Sequence, residues 1–434
     1  MKKQISILIS LIFGMAIVSA DPLILNEDSA VNLALNQNYE LKSSLIDLQK
    51  AEDQNNNSWN VMLPDFSVNG SVNNTNGVFD SSVDNNLTLT ASLASSVTLN
   101  KYDRYYMDYD ELTYESQSIL YSIDEATLKT DVKKAFYYLI AHKQSLELTE
   151  MNLELAKKRW QQMQTSYDNG LASELDVLEA QSTYENLKPD YSTANTAYKT
   201  ELMEFKSLLG LDLNQEIELE GDLNVEVMDL NDDSLVSAFL SNRLDVESAE
   251  KSIEVEQTLL DIEKASNISP SLNLSFDYSA YNSDSSIFTT DWTDSASITA
   301  TISIPLNSYI KGSEEDIAIS DAERSVEQSK LNYQNIVEEA AKEIKTLVLE
   351  IQGYQENMEI SESAIEISQK TYDATEEAYN LGTTELLNLE DAQNTLFSAK
   401  QDLLTNQYNY LSALLDLESA LNASKDQIKS VIEL

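Results

Sequence analysis

The stretch YNLGTTELLNLEDAQ, residues 379–393, places Gly382 between two helical patterns. The stretch YDNGLASELDVLEAQ, residues 167–181, matches it without a gap 212 positions earlier, with five identities that include Gly170 opposite Gly382. Glycine adopts the left-handed conformation that ends many helices at no steric cost. The two stretches therefore predict two tight helix–turn–helix hairpins, one turning at 170 and the other at 382.

Proline begins each of two regions of alternating polarity. Pro64 opens PDFSVNGSV, Pro270 opens PSLNLSFDY, and each region continues through a polar turn into a second alternating run. Alternation at period two is typical of strands, and proline is tolerated at a strand's first residue. We expect β-hairpins at about 64–100 and about 270–306, with strands that reach roughly 30 Å or more, enough to cross a bilayer. A soluble hairpin half-buried on a helical body is the alternative reading of these strands.

Helical patterns surround both hairpins. A sustained apolar stripe at spacings of three, four and seven predicts long helices at roughly 103–168 and 313–381, and a shorter helix returns after each glycine. Ser173 and Thr384 are available to cap these returning helices. Helices are also expected before each hairpin, near 27–60 and 232–266. The chain thus divides into a signal peptide (1–20), a first repeat (21–213), an acidic linker (214–231), a second repeat (232–424) and a C-terminal tail (425–434).

The first 20 residues have the composition of a secretory signal: Lys2 and Lys3, an apolar run, and small residues up to Ala20. The chain contains no cysteine, which excludes disulfides, thiolate metal sites and lipid attachment through cysteine. Its net charge of -46 excludes nucleic acid as a partner. Such acidity fits either simple solvation and salt adaptation or an acidic conduit. No set of residues for catalysis, cofactor binding or metal binding is present, and the only histidine, His142, is expected to be a surface or packing residue of a long helix.

Four membrane-length strands cannot close a barrel within one chain. An open sheet in lipid would leave edge N–H and C=O groups unsatisfied, so the chain must take strands from copies of itself. Eight strands from a dimer would fill their own interior, whereas twelve from a trimer would leave a channel. The strand pattern therefore predicts an oligomer without choosing three.

The ordered set of features resembles the TolC family of outer-membrane factors. The resemblance rests on both glycine hairpins, on residues 379–421 with their YNYL phrase, on the proline strand starts and on SIPL at 303–306. It implies a mainly α fold with membrane β: a homotrimer whose four strands per chain form one 12-stranded β-barrel in outer membrane lipid, continuous with a periplasmic α-barrel tunnel. Such proteins are non-enzymatic ducts, without cofactors, that receive multidrug efflux or type I secretion substrates from a periplasmic adaptor (membrane fusion protein) and an inner-membrane RND, ABC or MFS pump. A dedicated protein-secretion outlet is the alternative within this architecture, and an exported coiled-coil surface protein is the alternative outside it.

The resemblance also implies where a periplasmic gate would lie. Carried over by position, the gate tyrosine is Tyr379, the ring sites are Asn388 and Asp391, and the aspartate of the first hairpin is Asp176. The turns at Gly170 and Gly382 would contact the adaptor.

This sequence departs from the family's gate pattern twice: Asn388 replaces a ring aspartate, and Thr384 replaces the linking arginine. We therefore expect a gate held by hydrogen bonds from Tyr379 and Asn388, with Asp391 as the remaining carboxylate ring. A second interpretation of the acids is that they stabilise the first turn of each returning helix through its dipole.

Overall fold

The computed structural model describes residues 22–75, 86–223, 225–284 and 292–432. The expected signal peptide, residues 1–20, lies outside these residues. The described helices are α1 (Glu27–Gln37), α2 (Tyr39–Asn56), α3 (Tyr102–Asp168), α4 (Glu174–Leu208), α5 (Asp232–Phe239), α6 (Leu244–Ile268), α7 (Glu314–Asn380), α8 (Leu386–Leu421) and α9 (Lys425–Ile432). The described strands are β1 (Leu23–Leu25), β2 (Asp65–Thr75), β3 (Asn86–Leu99), β4 (Ile217–Leu219), β5 (Ser271–Asp284) and β6 (Thr293–Ser303). The prediction of a mainly helical chain carrying strands is confirmed.

The described chain forms two compact units. The first, here called the hairpin unit, consists of residues 22–38, 131–226 and 356–411. The second, the sheet unit, consists of residues 39–130, 227–355 and 412–432. The order helix, strand, strand, helix of 67 residues, helix occurs twice along the chain, as α2 to α4 and as α6 to α8. No described helix is long and apolar enough to cross a membrane.

Two helical hairpins dominate the hairpin unit, and each turns at a glycine. Gly170 and Gly382 have φ of 73° and 70°, the left-handed region. The amide of Gly170 donates to the carbonyl of Tyr167, and the amide of Leu171 donates back to Ser166, both at 2.8 Å. Gly382 and Thr383 repeat this pattern in the second hairpin. These bonds satisfy the last carbonyls of α3 and α7, so the local sequence is sufficient to end both helices and reverse the chain.

The sheet unit contains a four-stranded antiparallel sheet in the order β2-β3-β5-β6. Paired residues lie on the same face of the sheet, and successive rows alternate between a mainly apolar face and a mainly polar face. One row across the sheet is Phe66, Ser95, Phe276 and Ile298, and the adjacent row, on the opposite face, is Ser67, Ala94, Asp277 and Ser297. The apolar side chains of the edge strands are largely exposed, Phe66 by 73% and Ile298 by 84%. Both edge strands, β2 and β6, lack a second neighbour among the described residues of the chain.

The helices expected before the two hairpins are interrupted, which the sequence did not predict. Asn38, with ψ of 133°, separates α1 from α2, and its Nδ2 donates to the carbonyl of Leu208 at 2.9 Å. Arg243, also with ψ of 133°, separates the short Leu240–Asn242 3₁₀ helix from α6. In both cases a buried polar side chain bonds outside its own helix, which stabilises a local backbone that is not helical.

Three further elements, β1, β4 and α9, lie outside the helices and hairpins expected from the sequence. β1 and β4 pair in parallel, Leu23 opposite Ile217 and Leu25 opposite Leu219, so part of the expected linker 214–231 is a strand of the hairpin unit. Residues of the expected C-terminal tail, 425–434, form α9, whose Ile428 is fully buried. The pairing of β1 with β4 joins segments almost 200 residues apart, which local patterns do not reveal.

Candidate functional site

The turn of the first hairpin is closed by a reciprocal cap. The amide of Asp176 donates to Oγ of Ser173 at 3.2 Å, and the amide of Ser173 donates to Oδ2 of Asp176 at 2.8 Å. The Ser173 hydroxyl also donates to Oδ2 of Asp176, at 2.9 Å. Both groups therefore satisfy amides at the start of α4, where the helix dipole favours negative charge. In the isolated chain, the Asp176 carboxylate acts as a helix cap.

In the second hairpin, Asn388 and Thr384, the two residues at which the sequence differs from the gate pattern of the resemblance, form a hydrogen bond. Nδ2 of Asn388 donates to Oγ1 of Thr384 at 2.9 Å, so the side chains that replace the ring aspartate and the linking arginine bond to each other. The expectation that Thr384 caps the returning helix is wrong, because α8 begins at Leu386 and Glu385 stands immediately before it. Counting back 212 positions, Glu385 corresponds to the capping Ser173, one residue beyond the predicted position.

Tyr379 lies at the inner side of the second turn. Its hydroxyl approaches Sδ of Met163 on α3 at 3.7 Å, and thioether sulfur is a weak acceptor. Burial raises the pKa of the Tyr379 phenol; the Arg159 guanidinium opposes this, and the Asp176 and Glu390 carboxylates add to it. The structure thus brings Tyr379 within electrostatic range of Asp176, although no hydrogen bond joins the two in a single chain.

Asp391 is exposed on α8 and lines a groove of about 770 Å³ between α7 and α8, which Asp402 also lines. Among the described residues no cation lies within ion-pair distance of its carboxylate. A carboxylate held on a rigid helix with no local counter-charge is free to act on ions in an adjoining aqueous space.

A buried polar network links the two hairpins, and the sequence did not predict it. Arg159 on α3 is only 9% exposed, and its Nη1 donates to Oε1 of Gln393 on α8. Nε2 of Gln393 donates to Oδ1 of Asn152. Nη2 of Arg159 donates to the hydroxyl of Tyr372 on α7 at 3.4 Å, and that hydroxyl donates to Oε1 of Glu376 at 2.9 Å. The first hairpin is therefore tied to the second through one guanidinium.

Glu390 lies next to this network. Oγ1 of Thr183 on α4 donates to Oε2 of Glu390 at 3.2 Å. Burial raises the pKa of the Glu390 carboxyl, Thr183 and Arg159 oppose the rise, and Glu179 and Asp391 reinforce it. One signal in the sequence pointed here, since Gln181 and Gln393 are an identical pair in the duplicated stretch. Nothing in that stretch indicated Arg159, which lies upstream of the match.

Leucines project from both turns. Leu171 is 83% exposed and Leu381 is 72% exposed, and Leu175 and Leu387, which are 212 positions apart, are also mostly exposed. Four exposed leucines therefore lie at or near the two turns, among mainly polar neighbours.

The chain was compared with known proteins. The family model described as "Outer membrane efflux protein" matches residues 30–211 and 235–423, most of the chain. The chain belongs to the outer membrane efflux protein family. It is 23% identical to the outer membrane protein TolC of Salmonella enteritidis, over 98% of this chain and 87% of that protein. It is 24% identical to the probable efflux pump outer membrane protein TtgC of Pseudomonas putida, over 71% of this chain and 63% of that protein.

Solved structures of similar fold extend the comparison. The Campylobacter jejuni CmeC outer membrane channel superposes with a TM-score of 0.78 at 18% identity, covering 94% of this chain and 88% of that one. The open state of the Neisseria gonorrhoeae MtrE outer membrane channel gives a TM-score of 0.74 at 16% identity, covering 92% and 89%. This efflux protein is accordingly an outer membrane protein with a periplasmic helical tunnel, of a family of non-enzymatic transport conduits.

Proposed function

We propose that this outer membrane efflux protein is the exit duct of a tripartite system. A periplasmic adaptor and an inner-membrane RND, ABC or MFS pump would deliver small molecules to it. The observation that carries the proposal is the four-stranded sheet. It has one exposed apolar face, one polar face and two edges that no other strand of the described chain pairs with. In lipid such a sheet must close with sheets of other copies, its polar face then lining an aqueous channel.

Three copies are the proposed number. Twelve strands leave a water-filled interior, whereas eight would be filled by side chains. Members of the family are trimeric outer membrane channels, which agrees with this choice.

The adaptor is proposed to dock at the two turns of each chain. Gly170 and Gly382 keep the turns short, and the exposed leucines beside them offer an apolar surface. Burying a leucine side chain gains about 1.5 to 3 kcal/mol, so these side chains would favour docking of an apolar surface on the adaptor.

We assign the gate to Tyr379, Asn388 and Asp391, with Asp176 close to the tyrosine. Support comes from the exposed carboxylate of Asp391, which has no ion-pair partner among the described residues, and from the bonds of the other groups within one chain. Asp176 bonds to Ser173, Asn388 to Thr384, and Tyr379 approaches Met163. The Arg159 network holds the two hairpins of a chain together beneath these groups. Opening would then separate neighbouring chains while each pair of hairpins moves as one body.

Bilayer recordings test the gate. We expect Asp391→Ala to lower cation preference and block by divalent cations, because a ring of three carboxylates is removed. Asp321→Ala, an exposed carboxylate of α7 in the sheet unit, is the control and should change neither. Unchanged cation preference in Asp391→Ala would rule out the ring assignment.

Disruption of the gene in its host tests the function. We expect accumulation of fluorescent efflux dyes, restored by the wild-type chain and not by a chain with Leu171→Asp and Leu381→Asp. Normal dye export together with loss of a secreted polypeptide would instead favour the dedicated protein-secretion outlet. Crosslinking in membranes should identify the adaptor attached to the wild-type chain.

A further inference from the structure

The register of the sheet places all four of its helix connections at one end. Asp65, at the start of β2, pairs with Ser96 near the end of β3. Leu99 at the end of β3 pairs with Leu272, and Ser271 pairs with Ser303, the last residue of β6. The segments that enter β2 and β5 and those that leave β3 and β6 therefore meet at the same edge of the sheet unit, where the membrane strands give way to helices.

Two of these segments form short 3₁₀ helices with exposed apolar side chains. One is Ser58–Met62, before β2, and the other is Asn307–Tyr309, after β6. Six large apolar residues on and beside them are between 45% and 67% exposed. We call this set the junction collar: Trp59, Met62, Leu63, Leu306, Tyr309 and Ile310.

The collar segments lack charge. Residues 54–64 and 304–310 contain no Asp, Glu, Lys or Arg, although 24% of the chain is charged. They hold instead Asn, Ser, Trp, Tyr, Met, Leu and Ile, the mixture of amphipathic aromatic, apolar and neutral polar groups that suits a boundary between hydrocarbon and water.

Hydrogen bonds hold both collar segments, the first within its own 3₁₀ helix and the second against α6 and α7. The amide of Leu63 donates to the carbonyl of Asn60 at 2.9 Å, closing the first 3₁₀ helix. In the second, Oγ of Ser308 donates to the carbonyl of Asn267 on α6 at 2.8 Å, and Nδ2 of Asn307 donates to Oε1 of Glu315 on α7 at 3.0 Å. The exposed side chains are thus presented on anchored backbone.

Basic residues follow the strands at the same end. No Lys or Arg occurs in residues 51–100 or 265–310, and the first ones after the two β-hairpins are Lys101 and Arg104, then Lys311. All three are exposed, and none of them forms an ion pair within the described ranges. Lys101 lies 5.5 Å from the ring centroid of Tyr105. Three exposed cations without an ion pair in the described ranges thus follow the uncharged collar segments. The nearby acids Asp103, Glu315 and Asp316 bond to Asn100, Asn307 and Gly312 instead.

We propose that the junction collar and these three cations form a binding surface for phospholipid headgroups of the periplasmic leaflet. The collar side chains enter the boundary between headgroup and acyl chain, and Lys101, Arg104 and Lys311 bind the phosphodiesters of anionic lipid. The inference rests on the outer membrane location of the protein. It adds a specific lipid partner and fixes the depth to which the sheet is inserted.

Tryptophan fluorescence tests the depth. The chain has three tryptophans, so the double variant Trp160→Phe/Trp292→Phe leaves Trp59 alone, and Trp59→Phe/Trp292→Phe leaves Trp160 on α3 in the hairpin unit. The full chains are reconstituted into phosphatidylcholine vesicles brominated near the headgroup end of the acyl chain. We expect at least twofold greater quenching of Trp59 than of Trp160. Equal quenching would overturn the collar's placement, while an unchanged single-channel conductance in the same vesicles would leave the proposed duct intact.

Lipid retention tests the cations. Lys101→Gln/Arg104→Gln/Lys311→Gln is compared with wild type and with Lys330→Gln, an exposed, unpaired lysine about 24 Å along α7 from its first residue. Each is reconstituted in equal parts phosphatidylglycerol and phosphatidylcholine and extracted in mild detergent, and bound lipid is measured by mass spectrometry. We expect the triple variant to retain several-fold less phosphatidylglycerol, with phosphatidylcholine unchanged and Lys330→Gln like wild type. Equal phosphatidylglycerol retention in the triple variant and the wild type would refute the headgroup site.

Discussion

Arg159 joins the two hairpins through hydrogen bonds to Gln393 and Tyr372. Its replacement by Leu leaves Gln393 Oε1 and the Tyr372 hydroxyl without their donor in a buried setting. A buried polar group that loses its partner costs about 1 to 3 kcal/mol. We expect Arg159→Leu to lower the thermal unfolding midpoint of the extracted protein and to raise single-channel conductance, since the hairpins beneath the gate loosen.

The control for Arg159 is Arg324→Leu. Arg324 pairs with Asp321 on the surface of α7, with its side chain 72% exposed, and such pairs contribute about 0 to 1 kcal/mol. An Arg159→Leu protein that melts and conducts like Arg324→Leu would show that the network does not hold the hairpins.

Glu390 gives the hairpin unit a pH dependence of defined sign. Burial raises the pKa of its carboxyl above the ordinary value of 4.5. The folded state therefore favours the protonated form, and this contribution to stability is complete below the unfolded pKa and is lost as pH rises through the folded pKa. Glu390→Gln should remove this loss of stability with rising pH, because glutamine does not titrate. We expect the free energy of unfolding of the variant to fall less than that of wild type between pH 4 and pH 7. The difference should be under about 1 kcal/mol because the group is partly solvated.

Glu385→Gln, in the exposed turn before α8, is the matched control for this titration and should follow wild type. A Glu390→Gln protein with the pH dependence of wild type would contradict the assignment.

The sequence could indicate some of these residues and not others. Tyr379 and Asp391 were assigned through a resemblance carried by a short stretch around one glycine, and their role in a gate stays a prediction. Arg159 meets Tyr372 and Gln393 across 213 and 234 positions. Its role depends on which faces of α3, α7 and α8 meet, and helix periodicity alone does not fix that.

At the scale of elements, two glycines on α7 and just after it should respond in opposite directions to the same change. Gly382 has φ of 70°, so Gly382→Ala forces a side chain into the left-handed region at a cost of about 1 kcal/mol or more. Gly353 lies inside α7, and a Cβ there would meet nothing within 4 Å. Gly353→Ala should therefore stabilise the protein by up to about 1 kcal/mol.

Thermal unfolding of the two alanine variants checks this pair, each serving as the control of the other. Gly170→Ala, with φ of 73° at the equivalent turn, should behave like Gly382→Ala. A loss of stability in Gly353→Ala equal to that in Gly382→Ala would show that the left-handed turn is not the cause.

The long helices were predictable because an apolar stripe at helical spacing continues over many turns. The helix expected over 103–168 is observed as Tyr102–Asp168, and that expected over 313–381 as Glu314–Asn380. The breaks at Asn38 and Arg243 were not predicted. Each depends on one polar side chain that finds a partner elsewhere in its unit, and such a partner is invisible in the helical pattern that continues on both sides.

At the scale of the whole molecule, the sheet decides the assembly. Its central pairs are complete, while β2 and β6 each have an edge that no described strand pairs with, and exposed apolar side chains. The alternating sequence was enough to predict that one chain could not close a barrel. In the proposed assembly, the number of copies depends on how β6 of one chain meets β2 of the next, and that contact belongs to no single chain.

Crosslinking between the edges measures this contact in a chain that has no cysteine of its own. Ser67→Cys on β2 is combined in turn with Ser295→Cys, Ser297→Cys and Thr299→Cys on β6, and the membranes are treated with a short thiol crosslinker. Because each chain then carries one thiol at each edge, a closed barrel of three should give dimers and then a covalent trimer as the largest species, strongest for one of the three pairs. Ser92→Cys with Ser279→Cys, directly opposite on β3 and β5, should crosslink within one chain and leave it monomeric. A ladder that ends at two copies, or that continues beyond three, would contradict the trimer, because the largest covalent species counts the chains in the ring.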